Sequence, residues 1–544
     1  MSTTVVRPGG AYGEVTDRSG LPPGAPVAAD ADKYRYKYLI AIAVTLAAVL
    51  ELIDTSIVNV AIPHMMGNLG ATLDEISWVS TGYIIANVIV IPLSSWLSGY
   101  FGRKRYLTGS ILIFVAASFF CGAAHSLGGL IFWRVIQGLG GGALLSTAQS
   151  TLFEAFPPKE VGVGQAMFGV GVMVGPTIGP TLGGYIVDNY DWPWIFYINV
   201  PLGIIAAFMV WAYVHDAEHQ ERATTIDGTG ILLLALCVGS LQWMLERGER
   251  FDWFDSRFVT MLGVTSLVSF VLLIWRELTI DEPVINLRVL LNRQLAAGVS
   301  MGAFLGFALY GSVFVLPVFL QSLHGWTANQ TGMVILPGAL ASAVTMAVVG
   351  RNAARLDARV TVPIGASLFL YSMWRLSLLS FDAGAHDLFW PLIARGVGLG
   401  LIFVPLTGAT MAELKPGELA QGTGMFNLTR QLGGSLGIAI SATLLSRFTA
   451  QSRALLAEHV VAGDPIAHAR IDGIAHALVA KGMDALSAKQ QALMILDRQL
   501  QGQASVLAFS KLYMLSGLAL MASLPLLILF RSGKSRGLGP GAAH

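Results

Sequence analysis

The sequence predicts an all-α, polytopic membrane protein, and three observations carry that expectation. Of 544 residues, 54% are hydrophobic and only 12% are charged, against roughly 25% charged in soluble domains. Apolar runs near twenty residues long recur from residue 38 to residue 530, each long enough to cross a bilayer as a helix. Basic residues gather on alternate loops, as expected of a chain that threads a membrane repeatedly.

Fourteen transmembrane helices are expected, near 38–61, 77–99, 106–124, 127–150, 163–187, 196–214, 229–247, 256–276, 295–320, 328–350, 361–380, 386–411, 421–446 and 508–530. Residues 1–37, rich in Gly, Pro and Ala, read as a disordered cytosolic tail ahead of an uncleaved insertion helix. With that tail inside, the even-numbered spans end on Arg103, Lys104 and Arg105, then Lys159, Arg222, Arg276 with Arg288 and Arg293, Arg351 with Arg355 and Arg359, Lys415, and Arg531 with Lys534 and Arg536. The short loops on the opposite side carry little beyond Arg247, Arg250 and Arg257. The asymmetry places both termini in the cytoplasm.

An internal repeat divides the chain. GYFGRKR at 99–105 follows span 2 and GRNAARLDAR at 350–359 follows span 10; RVIQGLG at 134–140 and RGVGLG at 395–400 lie in spans 4 and 12. An offset of eight spans fits two six-helix bundles, 38–215 and 295–530, separated by a linker with two extra helices at 216–294 and closed by a cytosolic tail at 531–544. Within the second bundle, residues 447–506 form an unusually long extracytoplasmic loop. Its amphipathic stretches, ALLAEHVV and DALSAKQQALMILDRQL, read either as a hairpin on the membrane surface or as a docking element for a partner.

Several function classes are excluded. A net charge of +1 gives no basic face for nucleic acid. Cys121 and Cys237 lie in apolar spans and suggest neither a disulfide nor a metal site. RSGKS at 531–535 resembles the end of a phosphate-binding loop, but Ile528 stands where the first glycine belongs. No cofactor or metal is expected, and no polar catalytic cluster marks an enzyme.

Ionisable groups at mid-membrane point to function. In span 1, ELIDTSIVNVAIP sets Glu51 and Asp54 on one helical face. Two carboxylates this close in low dielectric do not both ionise easily, so Asp54 is expected to carry a proton with Glu51 as its partner. The competing reading is a permanent ion pair between Asp54 and Arg134 of span 4; the two are compatible if protonation breaks the pair. Gln137 shares Arg134's face. Arg430, Asn427 and Gln431 group similarly in span 13, and Tyr83, Asn87, Tyr310 and Phe314 are candidates to line a substrate cavity. Most such aromatic residues simply pack.

VGPTIGPTLGG at 174–184 concentrates helix-weakening residues inside span 5. Gly171, Gly175, Gly179 and Gly183 recur every fourth position, with Pro176, Pro180 and Gly184 among them. Backbone groups freed by proline need internal partners in a membrane, and a stripe of small residues permits close helix contact. The stripe is expected to face a helix of the opposite bundle and to act as a bendable gate.

At these residues the sequence resembles the major facilitator superfamily, in its fourteen-helix drug:proton antiporter branch, and is most similar to the EmrB-type multidrug efflux pumps. IDTSIVNVAIP at 53–63, RVIQGLGGG at 134–142, the span-5 run and WPWIFYINVP at 192–201 match that branch's motifs. So does the loop motif ending in Gly102, Arg103, Lys104 and Arg105. Two positions depart: Gly99 replaces the loop motif's usual acidic residue, and Pro193 replaces an arginine. The resemblance implies a major facilitator fold, an inner-membrane location and proton-coupled export of drug-like, hydrophobic or amphipathic molecules by alternating access. It assigns proton coupling to Arg134 and implies a periplasmic adaptor and an outer-membrane channel as partners. The rival reading is a carrier for one metabolite, uncoupled or symporting, whose carboxylates bind substrate.

Overall fold

The computed structural model describes residues 34–216, 226–353, 355–458 and 465–530. The expected tails at 1–33 and 531–544, Arg222, and residues 459–464 of the long loop lie outside the described residues. Among the described residues there are fifteen α-helices of more than four residues. The first six are α1 (Lys37–Leu69), α2 (Trp78–Phe101), α3 (Arg103–Gly122), α4 (Leu127–Ala155), α5 (Val161–Asn189) and α6 (Asn199–Tyr213). After them come α7 (Gly228–Arg247) and α8 (Arg257–Thr279), then α9 (Arg293–His324), α10 (Ala328–Arg351), α11 (Ala358–Ser377), α12 (Ala385–Met411), α13 (Leu419–Ala457), α14 (Pro465–Val479) and α15 (Ala485–Ala522).

Local chemistry sets the boundaries. Gly70 closes α1 at φ 61°, a left-handed conformation natural to glycine. Ser126 caps α4 by accepting from the Gly129 N–H, and Asn292 caps α9 by accepting from Gln294 and Leu295. Thr327 and Gln330 form a reciprocal capping box at the start of α10.

Helices α1 to α6 pack on one another, with α1 against α4, α5 and α6, and α4 against α2 and α3. Helices α9 to α13 and α15 form a second such set, and α7 and α8 pair outside them, α7 reaching both α2 and α13. Across the seam α5 lies along α10 and α12, while α13 lies along α2 and α4.

Among the described residues, 12 helical segments are long and apolar enough to cross a membrane, fewer than the fourteen expected. Helices α11 and α13 are not among them. The first carries Arg359 and Arg375, and the second interrupts its apolar residues with Asn427, Arg430, Gln431 and many glycines.

Two further expectations are corrected. The stretches 447–457 and 485–506 are not a separate hairpin, because they continue α13 and α15. At 39 residues, α13 is about 58 Å long by a rise of ~1.5 Å per residue, about twice the hydrocarbon core. Arg453 of α13 pairs with Asp497 of α15 at 2.6 Å in that projecting part, and α14 packs back on α15.

The glycine stripe of α5 faces α1 in its own bundle, not the opposite one. A Cβ at Gly171 would come within 2.7 Å of Val49, at Gly175 within 2.8 Å of Leu52, at Gly179 within 2.8 Å of the Ser56 Cβ and at Gly183 within 2.7 Å of Ile57. A four-residue period matches one face of α5 to one face of α1. The seam with α10 uses other positions: Gly162 and Ala166 against Gly350, and Thr181 against Gly332. Gly184 points away from the stripe, with nothing near it.

Candidate functional site

The densest buried polar cluster sits where α1, α4 and α6 meet. Asp54 is fully buried. Its Oδ2 accepts from the Arg134 guanidinium at 2.6 Å, and its Oδ1 accepts from Gln137 Nε2 and Asn199 Nδ2, each at 2.9 Å. Arg134 also donates through Nε to the Val79 carbonyl at 3.0 Å and to Gln137 Oε1 at 2.8 Å. Its charge lies 4.1 Å from the centre of the Tyr83 ring, a cation–π contact that strengthens away from water.

Burying two charges is costly unless each is paired and its remaining hydrogen-bond capacity is used. Here both carboxylate oxygens have donors, so the pair is stable as an ion pair and sensitive to loss of either charge. Glycines make this geometry accessible. A Cβ at Gly142 would meet Val90 at 2.8 Å, and one at Gly141 would meet the Tyr83 hydroxyl at 2.8 Å.

Glu51, one turn away, shares no hydrogen bond with this pair, although its charge and that of Asp54 interact. Its Oε1 accepts from Asn87 Nδ2 at 2.9 Å, while its Oε2 is buried with no hydrogen-bond partner. It is close enough to Arg430 of the second bundle for their charges to interact. The structure therefore joins Asp54 to Arg134 and turns Glu51 toward the seam.

A second polar chain crosses that seam. Asn427 of α13 donates to Gln149 of α4 at 2.7 Å, and Gln149 donates to Gln165 of α5 at 3.3 Å. Arg430 donates to Asn427 Oδ1 at 3.3 Å and to the Tyr310 hydroxyl at 3.2 Å. Gln431 is half-buried on the same helix. Phe314 lies one turn beyond Tyr310 and lines a cleft of about 620 Å³ against the C-terminal part of α13.

The loop motif lies at the other end. Gly102 takes φ 83°, a conformation that favours glycine, and turns the chain so that the Lys104 N–H donates to Asp216 at 2.9 Å. Arg103, 3% exposed, forms a two-pronged pair with Glu154 of α4 at 2.6 and 2.7 Å. Lys104 lies over the Trp211 ring and Arg105 is exposed. Glu154 and Asp216 are thus the acidic partners of the loop motif. Outside the spans, Asp227 caps α7 and accepts from Arg276 at 2.8 Å; that hydrogen bond, with the Gly230 N–H, holds its carboxyl below the usual aspartate range.

Asn199, Gln149, Gln165, Glu154 and Asp216 were not singled out by the sequence. Only Asn199 gave a local signal, as the lone amide in the apolar entry to α6. The others are recognisable only once helices distant in sequence are brought together.

Residues 44–438 match the family model for the Major Facilitator Superfamily. The chain is 34% identical to the multidrug export protein EmrB of Escherichia coli strain K12 over 514 residues, covering 93% of this chain and 98% of the relative. It is 31% identical to the fatty acid resistance protein FarB of Neisseria gonorrhoeae, over 90% and 96% of the two chains. A similar solved structure is the human organic anion transporter MFSD10, with TM-score 0.56 and 12% identity, covering 89% of this chain and 99% of that one. The proton:xylose symporter XylE matches with TM-score 0.54 and 11% identity over 91% and 99%. At these identities the two structures bear on the fold alone.

Proposed function

Since the chain belongs to the major facilitator superfamily, as an EmrB-type member, we propose that it is a proton-coupled exporter of hydrophobic or amphipathic small molecules. The family is one of transporters, so the chain is a multi-pass membrane transporter and not an enzyme. Relatives named for multidrug export support drug-like cargo. The finer reading is fourteen transmembrane helices, with 38–215 and 295–530 as the two bundles and 216–294 as the linker. The protein sits in the inner membrane with both termini in the cytoplasm. The projecting α13–α14–α15 unit offers a site for a periplasmic adaptor that continues to an outer-membrane channel.

The observation that carries the coupling reading is the buried Asp54–Arg134 pair. Protonating Asp54 removes the counter-charge from Arg134, so the contact joining α1 to α4 differs between protonation states. Cargo binding and proton binding then favour different arrangements of the bundles, which is the requirement for coupled alternating access. Arg103, Glu154 and Asp216 at one end and the α5 glycine–proline run within the first bundle are read as the elements that hold and release those arrangements.

The test uses protein reconstituted in liposomes with an imposed pH gradient. Asp54→Asn leaves Arg134 without its counter-charge and is expected to be less stable, yet to fold and bind an amphipathic dye while losing gradient-driven transport. Undiminished uphill transport by Asp54→Asn overturns the assignment.

A further inference from the structure

The cleft beyond Phe314 is walled by four parts of the chain: α9, the projecting part of α13, Gln501 of α15, and the loop joining α7 to α8. Its lining is mainly apolar, with Ala442, Leu445 and Ala450 in one wall. Two charged residues face it, Glu249 and Arg453. Arg453 is engaged by Asp497 at 2.6 Å. Glu249 has no ion-pair partner among the described residues, which leaves an unneutralised negative charge in a cleft that Phe314 also lines.

The loop that supplies Glu249 is held in an unusual conformation. Asp252 and Trp253 both have φ 52°, a region that a bulky side chain rarely enters. The Trp253 N–H donates to the Gly248 carbonyl at 2.7 Å, and its indole N–H donates to Thr443 of α13 at 3.0 Å. On the other side Arg250 pairs with Asp74, between α1 and α2. The loop therefore spans from the first bundle to the second and fixes one wall of the cleft. Backbone strain maintained in this way is a feature of ligand sites and switch regions.

We infer that this cleft is a binding site for amphipathic organic cations on their way out, with Glu249 as the residue that selects for positive charge. The apolar wall takes the hydrophobic part of the cargo, Phe314 offers a ring face to the cation, and Glu249 supplies the counter-charge. Tyr310, one turn away from Phe314 on α9, is bonded to Arg430 at the seam. The extra helices α7 and α8 thereby acquire a role in cargo selection. This inference rests on the efflux reading above.

The test compares tetraphenylphosphonium with its uncharged analogue triphenylphosphine oxide, binding to the purified full-length protein. Glu249→Gln is expected to weaken tetraphenylphosphonium binding roughly three- to fivefold, the effect of one partly solvated ion pair, and to leave the oxide unaffected. Glu249→Asp restores the preference, and the melting temperature stays unchanged in both variants. Equal weakening of both probes, or no change in either, overturns the inference. If the wild type expels the cation but binding ignores Glu249, the inference falls and the efflux reading stands. If binding depends on Glu249 but a pH gradient drives no export, the cleft stands and the coupling reading falls.

Discussion

Asp54 and Arg134, eighty residues apart in sequence, meet at 2.6 Å with neither side chain more than 1% exposed. Removing one partner strands a charge, a loss of about 3–5 kcal/mol for a buried pair. Arg134→Leu is therefore expected to lower thermal stability in detergent by that amount. Asp54→Asn combined with Arg134→Leu removes the stranded charge, and Gln137 and Asn199 still find an acceptor, so much of the loss is recovered. Transport stays absent in both. Equal destabilisation of the single and double variants would show that charge is not what the pair contributes.

Glu51 answers a different question, because only one of its carboxylate oxygens is bonded, by Asn87 at 2.9 Å. It can gain or lose a proton without opening a helix contact. Glu51→Gln keeps an oxygen for Asn87, so the variant is expected to fold normally. Where one proton is displaced per cargo molecule, wild-type affinity changes up to about tenfold per pH unit. Cargo titrations across neutral pH should show a flatter dependence in Glu51→Gln; a slope equal to the wild type's would remove Glu51 from the coupling.

The α5 stripe separates packing from conformational freedom. Gly175 abuts Leu52 at 2.8 Å to an added Cβ, whereas Gly184 has open space. Gly175→Leu forces α1 and α5 apart, and overpacking of this kind costs about 1–3 kcal/mol. Gly184→Ala, on the same helix, is expected to be neutral. Thermal unfolding measures the contrast, and transport by a stable Gly175→Leu protein would leave the stripe with a packing role only.

What was legible in the sequence followed from local rules, and what was missed depended on assembly. Membrane spans and the isolated mid-membrane charges Asp54, Arg134 and Arg430 stand out because apolar surroundings make any polar residue conspicuous. Which groups pair does not stand out. Helical spacing placed Glu51 beside Asp54, yet Asp54 turns to α4 and α6 while Glu51 turns to α2. The four-residue glycine period announced a close contact but not its partner, since α1 and α10 both lie along α5. The acids that hold the loop motif, Glu154 and Asp216, lie 52 and 114 positions beyond Gly102, beyond the reach of any motif.

The junction of the extra helices carries a pH prediction. Asp227, outside the spans, accepts from Arg276 and from the Gly230 N–H, and these bonds hold its carboxyl below the usual aspartate range. A carboxylate held low in the folded state binds its proton more readily when unfolded. It therefore contributes stability above the ordinary aspartate value of about 4, and loses that contribution as pH falls through the lower folded value. Asp227→Asn removes the charge and is expected to lower the melting temperature at neutral pH. The gap between variant and wild type should narrow only in acid below pH ~4. Melting curves recorded from neutral pH into acid decide it: a gap that stays constant would mean that Asp227 acts through shape and capping alone, with no part played by its charge against Arg276.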